Sequence, residues 1–246
     1  HYPAGSSFNT MVKDLLGPVW NVINGIAFVF VIYILLYAYV FVGGSMLEPF
    51  VAQLGMGEVS GKIAASVFTL VFALCVWWST KAVDRVSTVL ILAMVVTFIT
   101  SVTGMLNEMS VATLMNALPE GAGSVYLPYV WVALPVCLAS FGFHMNVPSL
   151  MGYYQNDTHK VHTSVIGGTL IALMIYCLWQ TAVQGVLPRH EFAPVIAAGG
   201  DVPVLLKALS AHIDTLGLNQ VLNAFAFMAI VSSFLGVSLG LFDYAA

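Results

Sequence analysis

Residues 140–149 read SFGFHMNVPS, and the chain on both sides is apolar enough to lie in lipid. Gly142 and Pro148 both weaken a helix there, with His144 and Asn146 between them. Glycine relaxes the backbone, while proline removes an amide donor and crowds the preceding turn. In hydrocarbon every freed N–H and C=O must find a partner, so an unwound stretch persists only inside protein or against a watery cavity. The pattern predicts a helix broken near Phe141–Asn146. Discontinuous membrane helices hold carboxylates at half-helix N-termini and cations at loosened carbonyls. The competing reading is a proline kink with a packed histidine. Polar side chains at membrane depth are costly, which favours a functional role for His144 and Asn146.

The whole chain supports a membrane setting. It is 60% hydrophobic and 7% charged, with a mean hydropathy of +0.95. Soluble domains carry about 25% charged residues, so the expected class is an all-α polytopic membrane protein. A scattered net charge of -4 argues against a nucleic-acid partner. Cys75, Cys137 and Cys177 all fall in apolar runs, which is no disulfide framework. No metal or cofactor is expected. The sequence opens at His1, with no Met or signal sequence, and stops at Ala246 just after an apolar run. This reads as an internal piece of a longer protein.

Six runs, at about 20–46, 63–79, 86–106, 127–150, 165–187 and 221–241, are long enough to span a bilayer and contain no Asp, Glu, Lys or Arg. Together they make residues 1–246 a single, partial transmembrane domain. Before the first run, Phe8, Met11, Val12, Leu15 and Leu16 share one helical face, which predicts a short interfacial helix at about 7–16 ended by Gly17-Pro18. An even number of spans puts both termini on one side. That side holds Lys13, Lys81, Arg85 and Lys160, against Lys62, Arg189 and Lys207 on the other, so the termini are expected in the cytoplasm. The long connection 188–220 contains an amphipathic stretch from Val202 to Ile213, and connections of that length often serve as lids or gates. Trp20, Trp77 and Trp78 sit near run ends, as headgroup anchors do. Gly43-Gly44 and Gly167-Gly168 are expected at close helix contacts.

The first run opens Val22-Ile23-Asn24-Gly25-Ile26-Ala27-Phe28, and the sixth opens Val221-Leu222-Asn223-Ala224-Phe225-Ala226-Phe227. Val, Asn, Ala and Phe recur in register between runs that would enter the membrane from opposite sides. Such an echo fits an inverted-topology repeat, and it also fits coincidence between apolar segments.

The stretch LPVCLASFGFHMNVPSLMGYY, residues 134–154, resembles the broken helix of the bacterial hydroxy/aromatic amino acid permease family. GSSFNTMVKDLLG (5–17), WWSTKAVDR (77–85) and VSSFLGVSLGLFDY (231–244) also resemble that family, so the likeness covers the whole chain. Asn146-Val147-Pro148 looks most like its tryptophan permeases, where tyrosine permeases tend to carry Ser at the first position. The resemblance implies a leucine-transporter-type bundle of two inverted repeats, with the six runs as its third to eighth helices and others before His1 and after Ala246. It implies proton-coupled import of an aromatic amino acid, tryptophan first, across the bacterial inner membrane. A tyrosine or hydroxy amino acid permease of the same family is the alternative.

By that resemblance, Ser140, Phe141, Gly142, Phe143, His144 and Asn146 line the substrate site. Phe141 or Phe143 would stack on an indole or phenol ring, with bundle packing as the other reading. Tyr33 and Tyr37, four apart on the first run, would line the pocket, or else pack against lipid. Ser232 and Ser233 match the place where sodium-coupled members of the wider fold hold a cation, though serine is also a common packing residue. Some proton-coupled members place a lysine in the helix matching VLILAMVVTFIT (89–100), which has none; Met94 is apolar. His144 is then the one mid-span group of ordinary pKa near 6.5, which makes it a coupling candidate.

Two other classes compete. A haem-binding electron carrier or other membrane enzyme subunit needs axial ligands at matched depth on facing helices, and His144 has no evident mate, since His162 lies at a run end. A passive channel would not accumulate solute. Oligomeric state is not encoded in these features.

Overall fold

The computed structural model of the chain describes residues 8–51, 61–78, 80–117, 127–142, 147–213 and 217–245. Among them the regular structure is entirely helical. Four helices, Pro18–Glu48, Arg85–Glu108, Thr158–Val186 and Leu218–Phe242, are long and apolar enough to cross a membrane. Two further apolar helices, Gly61–Trp77 and Val130–Ser140, are shorter. The difference from six hydropathy runs has a simple origin. The second run makes a helix of 18 residues, at the short end of a span, and the fourth run is divided.

The chain separates into two compact units, one of residues His1–Phe28 and Ala122–Gln180, the other of Val29–Gly121 and Thr181–Ala246. The first contains α1 (Phe8–Leu16), the start of α2 (Pro18–Val51), α6 (Val130–Ser140), α7 (Val147–Tyr153) and most of α8 (Thr158–Val186). Gly17, at φ 88°, ends α1 by donating its N–H to the Lys13 carbonyl at 3.0 Å. Only glycine enters that left-handed conformation freely, and Pro18 then opens α2, where a missing donor costs nothing. Between α7 and α8 the chain turns through Gln155 and Asn156, at φ 53° and 64°. The Asn156 N–H returns to the Met151 carbonyl at 2.9 Å, closing α7 as helix ends commonly close.

The second unit is built from the rest of α2, with α3 (Gly61–Trp78), α4 (Thr80–Glu108), α5 (Val111–Leu114), α9 (Ala193–Ala197), α10 (Val202–Ser210) and α11 (Leu218–Ala245). Its core is Phe68, Val76, Val83, Val231, Phe234 and Leu235. Phe68 meets Phe72 at 4.9 Å and Phe234 edge-on at 5.3 Å between ring centroids. A Cβ on Gly43 would come within 2.5 Å of the Phe68 ring, and one on Gly44 within 2.8 Å of the Ala65 Cα. Bare backbone at these two positions is what lets α2 and α3 approach. Gly104 does the same for α4 under Leu218, at 2.5 Å from a would-be Cβ. Gly167 and Gly168, by contrast, have no neighbour within 4 Å of a would-be Cβ, so the expected close contact at that pair is not made in the described structure.

The segment joining α8 to α11 is largely helical and docked within this unit. Leu206, Leu209 and Ile213 are buried. The His212 Nε2 lies 2.7 Å from Glu191 Oε2. Arg189 reaches the Leu114 carbonyl at 3.1 Å and also bonds Gln184. Ser45 Oγ sits 3.4 Å from Asp201 Oδ1, at the start of α10.

The α2–α3 contact yields a test at neighbouring positions. Gly44→Ala places a methyl against Ala65 backbone that cannot rotate away, and overpacking of this kind costs about 1–3 kcal/mol. Ser45→Ala removes one half-buried hydroxyl bonded to the Val42 carbonyl and, at a long 3.4 Å, to Asp201, together worth about 1 kcal/mol. Thermal unfolding in detergent should show Gly44→Ala clearly below wild type, with Ser45→Ala close to it. Equal midpoints for the glycine variant and wild type would mean the helices do not meet there.

Candidate functional site

The site is the end of α6 and the helix that follows it. A three-residue turn, Leu127–Tyr129, leads into α6, which carries Pro135 inside it. That proline has no N–H to give to the preceding turn, so α6 is weakened before its end is reached. The helix stops at Ser140. Phe141 donates its N–H to the Leu138 carbonyl at 3.3 Å, and Gly142 donates to Ala139 at 3.1 Å. These shorter loops tighten the last turn and satisfy two of the terminal carbonyls. A third, that of Ser140, accepts the Tyr176 hydroxyl of α8 at 3.0 Å. The Ser140 hydroxyl itself turns back to the Val136 carbonyl at 2.8 Å.

Phe141 is half-buried, and its ring stands edge-on to Tyr176 with centroids 5.4 Å apart and planes at 75°. Gly142 is exposed; a Cβ there would lie 3.1 Å from the Ala139 carbonyl oxygen, so a side chain would crowd the helix end. Phe143, His144 and Asn146 lie outside the described residues. The chain is next described at Val147, where α7 begins. Pro148 is thus in the first turn of α7, where a helix needs no amide donor. The proline that marks the interruption in the sequence serves as the start of the next helix.

The other residues singled out in the sequence belong to the second unit. Tyr33 and Tyr37 are 68% and 66% exposed on α2. Ser232 is half-buried on α11, with its hydroxyl on the Ala229 carbonyl at 3.1 Å. Ser233, beside it, is also half-buried, as is Met94 on α4. Among the described residues no cluster of three or more His, Cys, Asp or Glu side chains could hold a metal. Among the described residues, the polar groups at the end of α6 are backbone carbonyls and hydroxyls. Tyr176 and Pro135 were not singled out in the sequence. The signal was there for Tyr176, a phenol inside an apolar run that must find an acceptor.

Family comparison bears directly on this arrangement. The tryptophan/tyrosine permease family matches residues 1–246. The chain belongs to that family. It is 54% identical to a tryptophan-specific transport protein of Haemophilus influenzae, over all of this chain and 60% of the relative. It is 38% identical to the low affinity tryptophan permease of Escherichia coli K12, over all of this chain and 59% of the relative. A tyrosine permease of Enterobacter agglomerans is 36% identical, again over all of this chain and 60% of the relative. The chain therefore spans about 60% of the length of these curated relatives. No solved structure matches it. Family membership and four long apolar helices together place this permease-family chain in a membrane.

Past α7, Asp157 sets where α8 starts. Its carboxylate accepts the Lys160 N–H at 3.2 Å, and its other oxygen lies 3.2 Å from the Lys160 ammonium. The Lys160 backbone N–H, then its side chain, hold the Asp157 carboxyl below the ordinary aspartate range. A lowered carboxyl pKa means the cap is intact at neutral pH and is lost only as pH falls through that lowered range. In full-length protein, the Lys160 amide resonance should titrate with a midpoint below that of a free aspartate. Asp157→Asn, which still caps, should abolish that titration. A midpoint at or above the free value would remove the assignment.

Proposed function

We propose that this chain is part of a secondary transporter that imports tryptophan by proton symport and alternating access. The single observation that carries the reading is the end of α6. Within an apolar segment the helix stops at Ser140, and a new helix starts at Val147. Full-chain similarity to tryptophan-specific transport proteins supports the choice of solute. A relative named as a tyrosine permease keeps tyrosine as the second candidate. All of these relatives are named as transport proteins or permeases, which supports a transporter over an enzyme.

In this reading the six apolar runs span the bacterial inner membrane as six helices of a leucine-transporter-type bundle, with both ends of the chain at the cytoplasmic face. Ser140, Phe141, Gly142, Phe143, His144 and Asn146 form the substrate-contacting segment. The backbone near Gly142 meets the polar end of the amino acid, and a phenylalanine ring meets the indole. The family resemblance, rather than any described contact, assigns Tyr33 and Tyr37 to the substrate's path and Ser232 and Ser233 to ion coupling. His144 is the proposed proton carrier, because the six runs contain no carboxylate or lysine and imidazole titrates near physiological pH. Its protonation can drive transport only by favouring one of the two access states.

Two experiments on full-length protein in liposomes test the reading. In the first, labelled tryptophan uptake is competed with the other amino acids. Tryptophan should compete best, and Asn146→Ser should shift preference toward tyrosine; stronger competition by tyrosine or serine in the wild type would refute the choice of solute. In the second, tryptophan exchange is compared with accumulation under an imposed pH gradient. His144→Asn should keep exchange and lose gradient-driven accumulation. A variant that still concentrates tryptophan with the wild-type pH dependence would move the proton carrier elsewhere.

A further inference from the structure

Ser140 and Tyr176 are 36 residues apart in sequence and joined by one hydrogen bond, from the tyrosine hydroxyl to the last carbonyl of α6. The next residue, Phe141, packs its ring edge-on against the same tyrosine. One side chain of α8 therefore holds both the backbone end of α6 and the first aromatic ring beyond it. We propose that Tyr176 is a positioning residue of the substrate site: it fixes the end of α6 and the setting of the Phe141 ring, and so contributes to selection of an aromatic solute. The substrate part of this inference rests on the transport function proposed above.

The physical case has three parts. A helix end leaves carbonyls without amide donors, and in an apolar medium an unpaired carbonyl is expensive. Amides of the tightened turn serve Leu138 and Ala139, whereas the Ser140 carbonyl is served by a side chain from another helix. The donor is a phenol, rigid beyond two torsions, so it fixes the carbonyl's position more firmly than a flexible chain would. Finally, Phe141 is half-buried with its ring edge-on to Tyr176, so the same side chain sets both the carbonyl and the ring. An edge-on aromatic pair of this kind restricts ring orientation, with a preference beyond simple burial.

The two contacts can be separated by substitution. Tyr176→Phe keeps the ring and removes the hydroxyl; Tyr176→Leu removes both. The probe is full-length protein in liposomes, with tryptophan binding, KM and kcat measured against tyrosine and phenylalanine as competitors. A fluorine label at the para position of Phe141 gives a second readout that needs no substrate. Loss of one hydrogen bond in an apolar setting should raise the tryptophan KM of Tyr176→Phe about fivefold, with kcat within about twofold. Tyr176→Leu should in addition change the order of competitors. The fluorine resonance should move or split in both variants. A purely structural role would lower the amount of folded protein and leave KM and competitor order as in wild type; that result, or an unmoved fluorine line in Tyr176→Phe, overturns the proposal. A wild type that binds no aromatic amino acid overturns the transport reading instead, and the fluorine line then still decides whether Tyr176 positions Phe141.

Discussion

Backbone pairing in a medium without water is the constraint on which the structure depends. An amide or carbonyl left alone in hydrocarbon costs several kcal/mol, on the order of a large share of a protein's net stability. Long helices answer it along most of the chain. The 34 residues of α2 make a rod of about 51 Å at 1.5 Å per residue, more than the roughly 30 Å hydrocarbon core requires. Where a helix stops, the same constraint demands a local solution. At α1 it is Gly17; at α7 it is the Asn156 return to Met151; at α6 it is two tightened amides and a tyrosine from α8.

The helix ends differ in where their partners come from. The α1 and α7 ends are closed by their own neighbours in sequence. The α6 end is closed in part by a distant side chain, so its position depends on where α8 lies. A helix end of that kind moves when its partner moves. Pro135 inside α6 adds to this, since it removes an amide that would otherwise stiffen the helix before its end.

Close packing in the second unit rests on a different device. Lipid is as apolar as leucine, so helices gain little by burying apolar faces against each other, and backbones must come close for dispersion to act. Gly43, Gly44 and Gly104 provide the approach, with Phe68 over Gly43, Ala65 over Gly44 and Leu218 over Gly104. At the connection from α8 to α11 the balance reverses. Polar groups appear there, as with Glu191 and His212, and hold short helices whose leucines are buried below.

The sequence by itself determined the class of structure and the family. With 60% hydrophobic residues, and charges kept out of runs of about 20, the chain has almost no alternative to membrane helices. The motifs around Ser140–Tyr154 and Val231–Tyr244 were enough to identify the permease family, which matches the whole chain. Gly17-Pro18 was legible as a helix boundary because capping is a local matter, settled within a few residues. The tertiary structure alone decided the pairings between distant segments. Nothing near Tyr176 in sequence says that its acceptor is Ser140, and nothing distinguishes Gly43-Gly44, which pack, from Gly167-Gly168, which meet no neighbour among the described residues. In water an amphipathic stripe reveals which face of a helix turns inward. In lipid both faces are apolar, so the pattern that usually encodes a contact is missing, and the contact is settled only when the helices meet.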